Sequence, residues 1–262
     1  MLQRTSIGTF IRVIISALNT SVRRIARMRY LTALALAIVA VLSVPSANFS
    51  QGGQMEASRG VEGGGVHVPG WTGKIDAKEA EAGMTLNSAK LAKEGDALHV
   101  TTGPAVTYWD PKNKASGDYT VTATFKEPKY MSLNNHPHPY GLVIAGNDLG
   151  TDQQSYLYCA AYGNGKFIVR GFGPAAFQMN GRGEENPAVN KAAGVGEPVT
   201  QEIAMSVKGG KVECSINKTV VASYDKAALV TDGKLKSTDG VYGIRFAHNT
   251  EAIDTGLKVT KN

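Results

Sequence analysis

Apolar and polar residues alternate with a period of two along much of the chain beyond residue 97. In residues 118–127, Tyr119, Val121, Ala123 and Phe125 fall on one face, and Thr120, Thr122, Thr124 and Lys126 on the other. That pattern predicts an antiparallel strand with one wet face. Residues 201–208 and 211–217 repeat it, turning Ile203, Met205, Val207, Val212, Cys214 and Ile216 inward across a turn at Gly209-Gly210. Residues 97–102, 105–110, 219–225, 240–248 and 256–261 read as further strands. The stretch 140–173 holds three more, over 141–146, 155–162 and 166–172. Gly163-Asn164-Gly165 closes the last two as a hairpin, because Asn and Gly accept the positive φ of tight turns. About eleven strands with glycine turns and almost no helical period predict an all-β fold, a two-sheet antiparallel β-sandwich. One short helix is expected near the start of the domain, where Asp76 and Glu79 have capping-box spacing and Gly83 follows as a stop.

The ends of the pattern set the organisation. Arg23, Arg24, Arg27 and Arg29 precede an apolar run over 31–44, and Pro45, Ser46 and Ala47 follow. This predicts a signal peptide over residues 1–47, with Met28 as an alternative start and the residues before it as an upstream extension. An uncleaved signal is the only membrane contact expected, since a span needs about 20 apolar residues. Residues 48–70 are rich in Gly and Ser and read as a flexible linker. Residues 71–262 form the sandwich domain, and the protein is expected to be exported, to the periplasm or beyond.

Charge removes one class of function. The chain has 28 basic and 22 acidic residues, but six arginines lie in residues 1–50, where there is no acid. Without them the balance is 22 against 22. The clustered positive excess that nucleic-acid binding requires is absent, and no nucleic-acid partner is expected. Cys159 and Cys214 are the only cysteines. In an exported protein they are either a disulfide or two small buried apolar side chains, and their spacing does not choose.

Candidate chemistry collects around 140–173. If Leu157, Cys159, Phe167 and Val169 point inward, Tyr156, Tyr158 and Arg170 point outward, and parity adds Arg245. Aromatic faces stack on sugar C–H faces and arginine donates to hydroxyls, so this face is the predicted ligand site. Asp148 and Gln154 in the loop after 141–146, and His248 and Asn249 at a strand end, are candidate polar contacts. Asp148 and Asp152 also carry the oxygen ligands that Ca²⁺ takes, without EF-hand spacing. No other cofactor is expected. His136 and His138 lie between prolines and have no third ligand at motif spacing, so no zinc site is predicted. Loops 128–139 and 174–198 are long enough to wall a groove. Glu184, Glu185 and Glu197 in the second are the acids available for hydrolysis, but nothing pairs them as glycoside hydrolysis requires.

The order of motifs carries a resemblance. A Gly117-Asp118-Tyr119 strand is followed by Tyr140-Gly141-Leu142, Ser155-Tyr156-Leu157-Tyr158, a Gly209-Gly210-Lys211-Val212 hairpin and the late run Asp239 to Asn249. This resembles the concanavalin A-like lectin/glucanase superfamily of jelly rolls, and within it the 3-keto-disaccharide hydrolase domain group of secreted bacterial proteins, over residues 71–261. One departure is Asn217-Lys218, where such domains carry Asn-Gly. The resemblance implies a sandwich whose concave face or rim binds a saccharide partner, with hydrolysis of glycosides or 3-keto-glycosides, or a non-catalytic envelope role, as alternatives. No catalytic residue carries over. The acid spacing of family-16 glucanases is missing.

Overall fold

The computed structural model describes residues 56–262. The expected signal peptide and residues 48–55 lie outside the described residues. The described residues form two eight-stranded sheets. The first runs, in spatial order, β1 (Gly65–Val66), β3 (Lys90–Glu94), β4 (Ala97–Thr101), β16 (Glu251–Lys261), β6 (Tyr119–Glu127), β12 (Val199–Lys208), β13 (Lys211–Ile216) and β14 (Thr219–Asp225). The second runs β10 (Ala176–Gln178), β9 (Lys166–Phe172), β8 (Ser155–Ala161), β7 (Tyr140–Asn147), β15 (Gly240–Phe246), β5 (Val106–Ala115) and β2 (Thr72–Ile75), with β11 (Glu184–Glu185) also pairing β9. All pairings are antiparallel except β1 with β3.

The inner faces meet as the alternation dictates. Val121, Phe125, Ile203, Met205 and Val207 of the first sheet share one core with Leu142, Ile144, Leu157, Val169 and Phe246 of the second. Cys159 on β8 and Cys214 on β13 are joined across that core, with Cα atoms 6.2 Å apart. The disulfide reading therefore holds and the reading as two free apolar side chains does not.

Three sequence expectations change. Residues 56–70 are not a free linker. The Val61 and Gly65 amides donate to the Ser88 and Ala89 carbonyls, and β1 extends the first sheet. A Cβ on Gly103 would lie 1.5 Å from the Arg59 carbonyl oxygen, so the strap packs where only glycine leaves room. Residues 174–198 are not a structureless loop, because β10 and β11 fold back onto β9. The helix is present at Ala77–Glu81, but the capping box is not, since Asp76 makes no side-chain cap bond. Strands β1, β2, β3, β10 and β11 escaped the pattern because most are two to five residues long or carry polar faces on both sides.

Two inward-facing acids load this core. Asp254 on β16 is buried without a hydrogen-bond partner on either oxygen, and burial pushes its carboxyl up to about 7. Burial likewise raises Glu127 to about 7, although the Met131 amide donates to it. A carboxyl whose folded pKa is raised binds more protons folded than unfolded, so its contribution to stability is lost as pH climbs from about 4 through 7. Asp254→Asn is expected to flatten that decline and raise stability at pH 8, read as urea midpoints at pH 5 and 8. Replacing both cysteines with alanine opens a 55-residue loop and is expected to cost about 2–5 kcal/mol in the same assay.

Candidate functional site

The hairpin β8–β9 places its outward side chains by register. Tyr156 lies opposite Phe172, and Tyr158 opposite Arg170. Arg245 on β15 lies opposite Gly141, which in turn lies opposite Ala160. Tyr156, Tyr158, Arg170 and Arg245 therefore share one outer face of the second sheet, as parity predicts.

Most of that face is covered. Tyr156 is 1% exposed, Tyr158 6% and Arg245 7%. With Val143, Ala160 and Ile168 the two tyrosines form a second hydrophobic cluster, lidded by Leu149, Tyr162 and Phe172. The expectation of an open aromatic face is corrected accordingly. An arginine buried among rings needs a counter-charge, since an unpaired buried ion costs several kcal/mol. Asp76, at the head of the short helix, supplies it. Arg245 Nη1 donates to Asp76 Oδ1 at 2.9 Å and Nη2 to Oδ2 at 2.6 Å. Nη1 also donates to Thr107 Oγ1 at 2.9 Å and to the Tyr156 hydroxyl at 3.2 Å. The guanidinium carbon sits 4.9 Å from the Tyr158 ring centre and 5.0 Å from that of Phe172. Burial is the largest influence and works against the charge on Arg245, but the Asp76 carboxylate and the Tyr156 and Tyr158 hydroxyls together outweigh it and raise the guanidinium above its ordinary value. Burial also raises the Tyr156 hydroxyl.

At the margin of this cluster the surface opens into a cleft of about 200 Å³. Lys74, Asp76, Gln154 and Phe172 line it with the Gly173–Ala176 turn. Gln154 is the predicted site residue that the structure places here. Lys74, Asp76 and Phe172 were missed. Asp76 looked like a local cap, and Lys74 and Phe172 gain meaning only through packing.

The remaining candidates disperse. Arg170 reaches the Gly181 carbonyl at the sheet edge. Asp148 pairs with Lys236 and lines a separate hollow of about 510 Å³ at the ends of β5, β7 and β15. Asp152 points to Lys74, so the two acids considered for Ca²⁺ face different lysines. Asn249 is corrected from a rim contact to a structural residue. It is 1% exposed, accepts from the Arg59 amide and donates to the Ala57 carbonyl, which fastens the strap. His248 lies away from the cleft, its ring stacked on His138 at 4.2 Å. Burial lowers both imidazoles, His138 to about 4. Glu184 and Glu185 are exposed on β11, and Glu185 is paired with Lys191. The acids raised by burial, Glu127 and Asp254, lie inside the sandwich, not on this face.

Known structures share the fold. The carbohydrate-binding module CBM66 from Bacillus subtilis superposes with a TM-score of 0.50 at 9% identity, over 75% of this chain and 98% of that module. The endo-β-1,3-glucanase from Pyrococcus furiosus gives 0.50 at 12% identity, over 76% and 91%. No protein-family model and no curated protein matches the chain. The likeness is therefore one of architecture alone, a two-sheet antiparallel β-sandwich.

Removing Asp76 leaves the Arg245 charge buried and alone. Asp76→Ala is expected to destabilise the fold by about 3 kcal/mol in urea unfolding. Adding Arg245→Met is expected to recover most of that loss, because the pair then vanishes together.

Proposed function

We propose that the protein is an exported carbohydrate-binding sandwich whose saccharide seats in the cleft beside Phe172. The observation that carries this reading is the cleft's lining. A half-buried aromatic ring, held by Arg245 beneath it, borders three polar side chains of different character, Lys74, Asp76 and Gln154. An aromatic wall with a few convergent polar groups is what a sugar requires, an apolar C–H face and directional hydroxyls. The volume suits one sugar residue at the end of a glycan more than a long chain lying across the sheet. Fold likeness to a carbohydrate-binding module is compatible with this and does not select the sugar. Export is supported by the Arg-rich, apolar leader and by the disulfide, which persists in oxidising compartments.

Binding is favoured over hydrolysis because Asp76 is tied into a forked pair with Arg245 and Asp152 is fully exposed to solvent, 3.4 Å from Lys74, so neither is set as a proton-exchanging acid. Hydrolysis needs two carboxyls free to exchange protons or attack across the scissile bond. The narrower likeness to 3-keto-disaccharide hydrolases rests on the motif order alone, and turnover assays on 3-keto-glucosides test it.

On a glycan array the wild type is expected to retain a restricted set of glycans. Phe172→Ala and Gln154→Ala are each expected to weaken the best of them about tenfold, or about 1.4 kcal/mol. A Tyr156 variant would be uninformative, since that side chain holds the fold. Retention of no glycan, or wild-type affinity in Phe172→Ala, would remove this site.

A further inference from the structure

Three of the chain's five histidines meet outside the cleft. His136 and His138 lie on the loop before β7, and His248 follows β15. One ring nitrogen from each lies within 4.8 Å of the others, the only such group of metal-ligating side chains among the described residues. We propose that His136, His138 and His248 form a binding site for a divalent transition metal of the zinc type.

The hydrogen bonds around the rings carry the argument. His138 Nδ1 faces the His248 carbonyl, an acceptor only, so Nδ1 holds the proton and Nε2 presents a lone pair. His136 Nδ1 faces Asn135 Oδ1 at 2.6 Å, which sets the same tautomer. Ser58 gives its one hydroxyl proton to Glu79 Oε2 at 2.6 Å. Its oxygen, 3.3 Å from His248 Nδ1, is left to accept, and the third ring takes the same tautomer. All three imidazoles therefore present an unprotonated Nε2. Two of these, on His136 and His138, face each other at 2.8 Å. Two lone pairs at that distance repel unless a metal ion, or a proton on one of the rings, lies between them, and metal counting tells the two apart.

The surroundings match a metal's needs. Ligating histidines donate their other N–H to a carbonyl, carboxylate or hydroxyl, which fixes ring orientation. Here the acceptors are a backbone carbonyl, an amide oxygen and a serine backed by a glutamate. Pro137 and Pro139 stiffen the loop, and Asn134 Nδ2 ties it to the Asn249 carbonyl at 2.8 Å. Imidazole donors select zinc-like ions over Ca²⁺ and Mg²⁺, which take oxygen. His138 is buried, His248 is half-buried and His136 is exposed, so the set is open on one side. Three protein ligands with an open fourth position is the pattern of exchangeable or reactive zinc sites, not closed structural ones. The site stands independently of saccharide binding.

Purified, untagged protein is dialysed against Zn²⁺ and its metal content counted, and Co²⁺ is added to the metal-free form for visible absorption. One ion per chain is expected, with the intense bands of tetrahedral cobalt. His136→Ala, at an exposed position that does not threaten folding, is expected to weaken zinc binding about 100-fold or more. Ser58→Ala, which touches no metal, is expected to weaken it about 10–100-fold. Glycan retention should not change in either variant. Failure of the wild type to hold one zinc per chain, or wild-type zinc affinity in His136→Ala with native near-UV dichroism, overturns the proposal.

Discussion

A single buried guanidinium organises the outer face of the second sheet. Arg245 makes a forked pair with Asp76, bonds Thr107 and Tyr156, and lies against the rings of Tyr158 and Phe172. Each contact answers a cost of taking a cation out of water. The carboxylate supplies the opposing charge, the Thr107 and Tyr156 hydroxyls accept from Nη1, and the π faces replace part of the hydration. The short helix is anchored here because Asp76, the residue that precedes it, reaches this charge. Lysine would not serve at position 245, since an ammonium has neither the flat face nor the fork.

That helix links the cleft with the histidine group. Asp76 at its head binds Arg245, and Glu79 one turn later accepts from Ser58, beside His248, and from the Ala105 amide. Both acids have capping-box spacing, yet neither caps. Each is spent on a partner that the sandwich brings in from elsewhere, and a five-residue helix with no buried residue of its own is held by these contacts. The same strap that carries Ser58 is fixed by Asn249 and by the close approach at Gly103.

Much of the fold was legible in the sequence, because period-two alternation reports one face of a strand directly. Residues 119–127 and 199–216 turn inward as their pattern dictates. Parity also placed Tyr156, Tyr158, Arg170 and Arg245 together correctly. Parity says nothing about what covers a face. The cover comes from Asp76, Leu149 and Phe172, which are distant in sequence from one another. One signal was available. Strands β7 and β8 contain no charged residue, and an uncharged, near-continuous apolar run is the mark of a strand buried on both faces. The histidine group was invisible for a different reason. His248 lies 110 residues beyond His138, and no motif spacing spans such a gap.

The place of β16 has a consequence for how this protein is made. That strand does not sit at an edge. It lies between β4 and β6 near the middle of the first sheet, pairing residues 251–261 with 98–101 and 119–126. Until those residues are present, β4 and β6 each show an unpaired edge, and the inner face that receives Leu142 and Phe246 is split in two. The first sheet must then stay open until that strand is available, and close in one late step around it. Such long-range closure is slow, and it leaves two strand edges exposed to wrong pairing for as long as it takes.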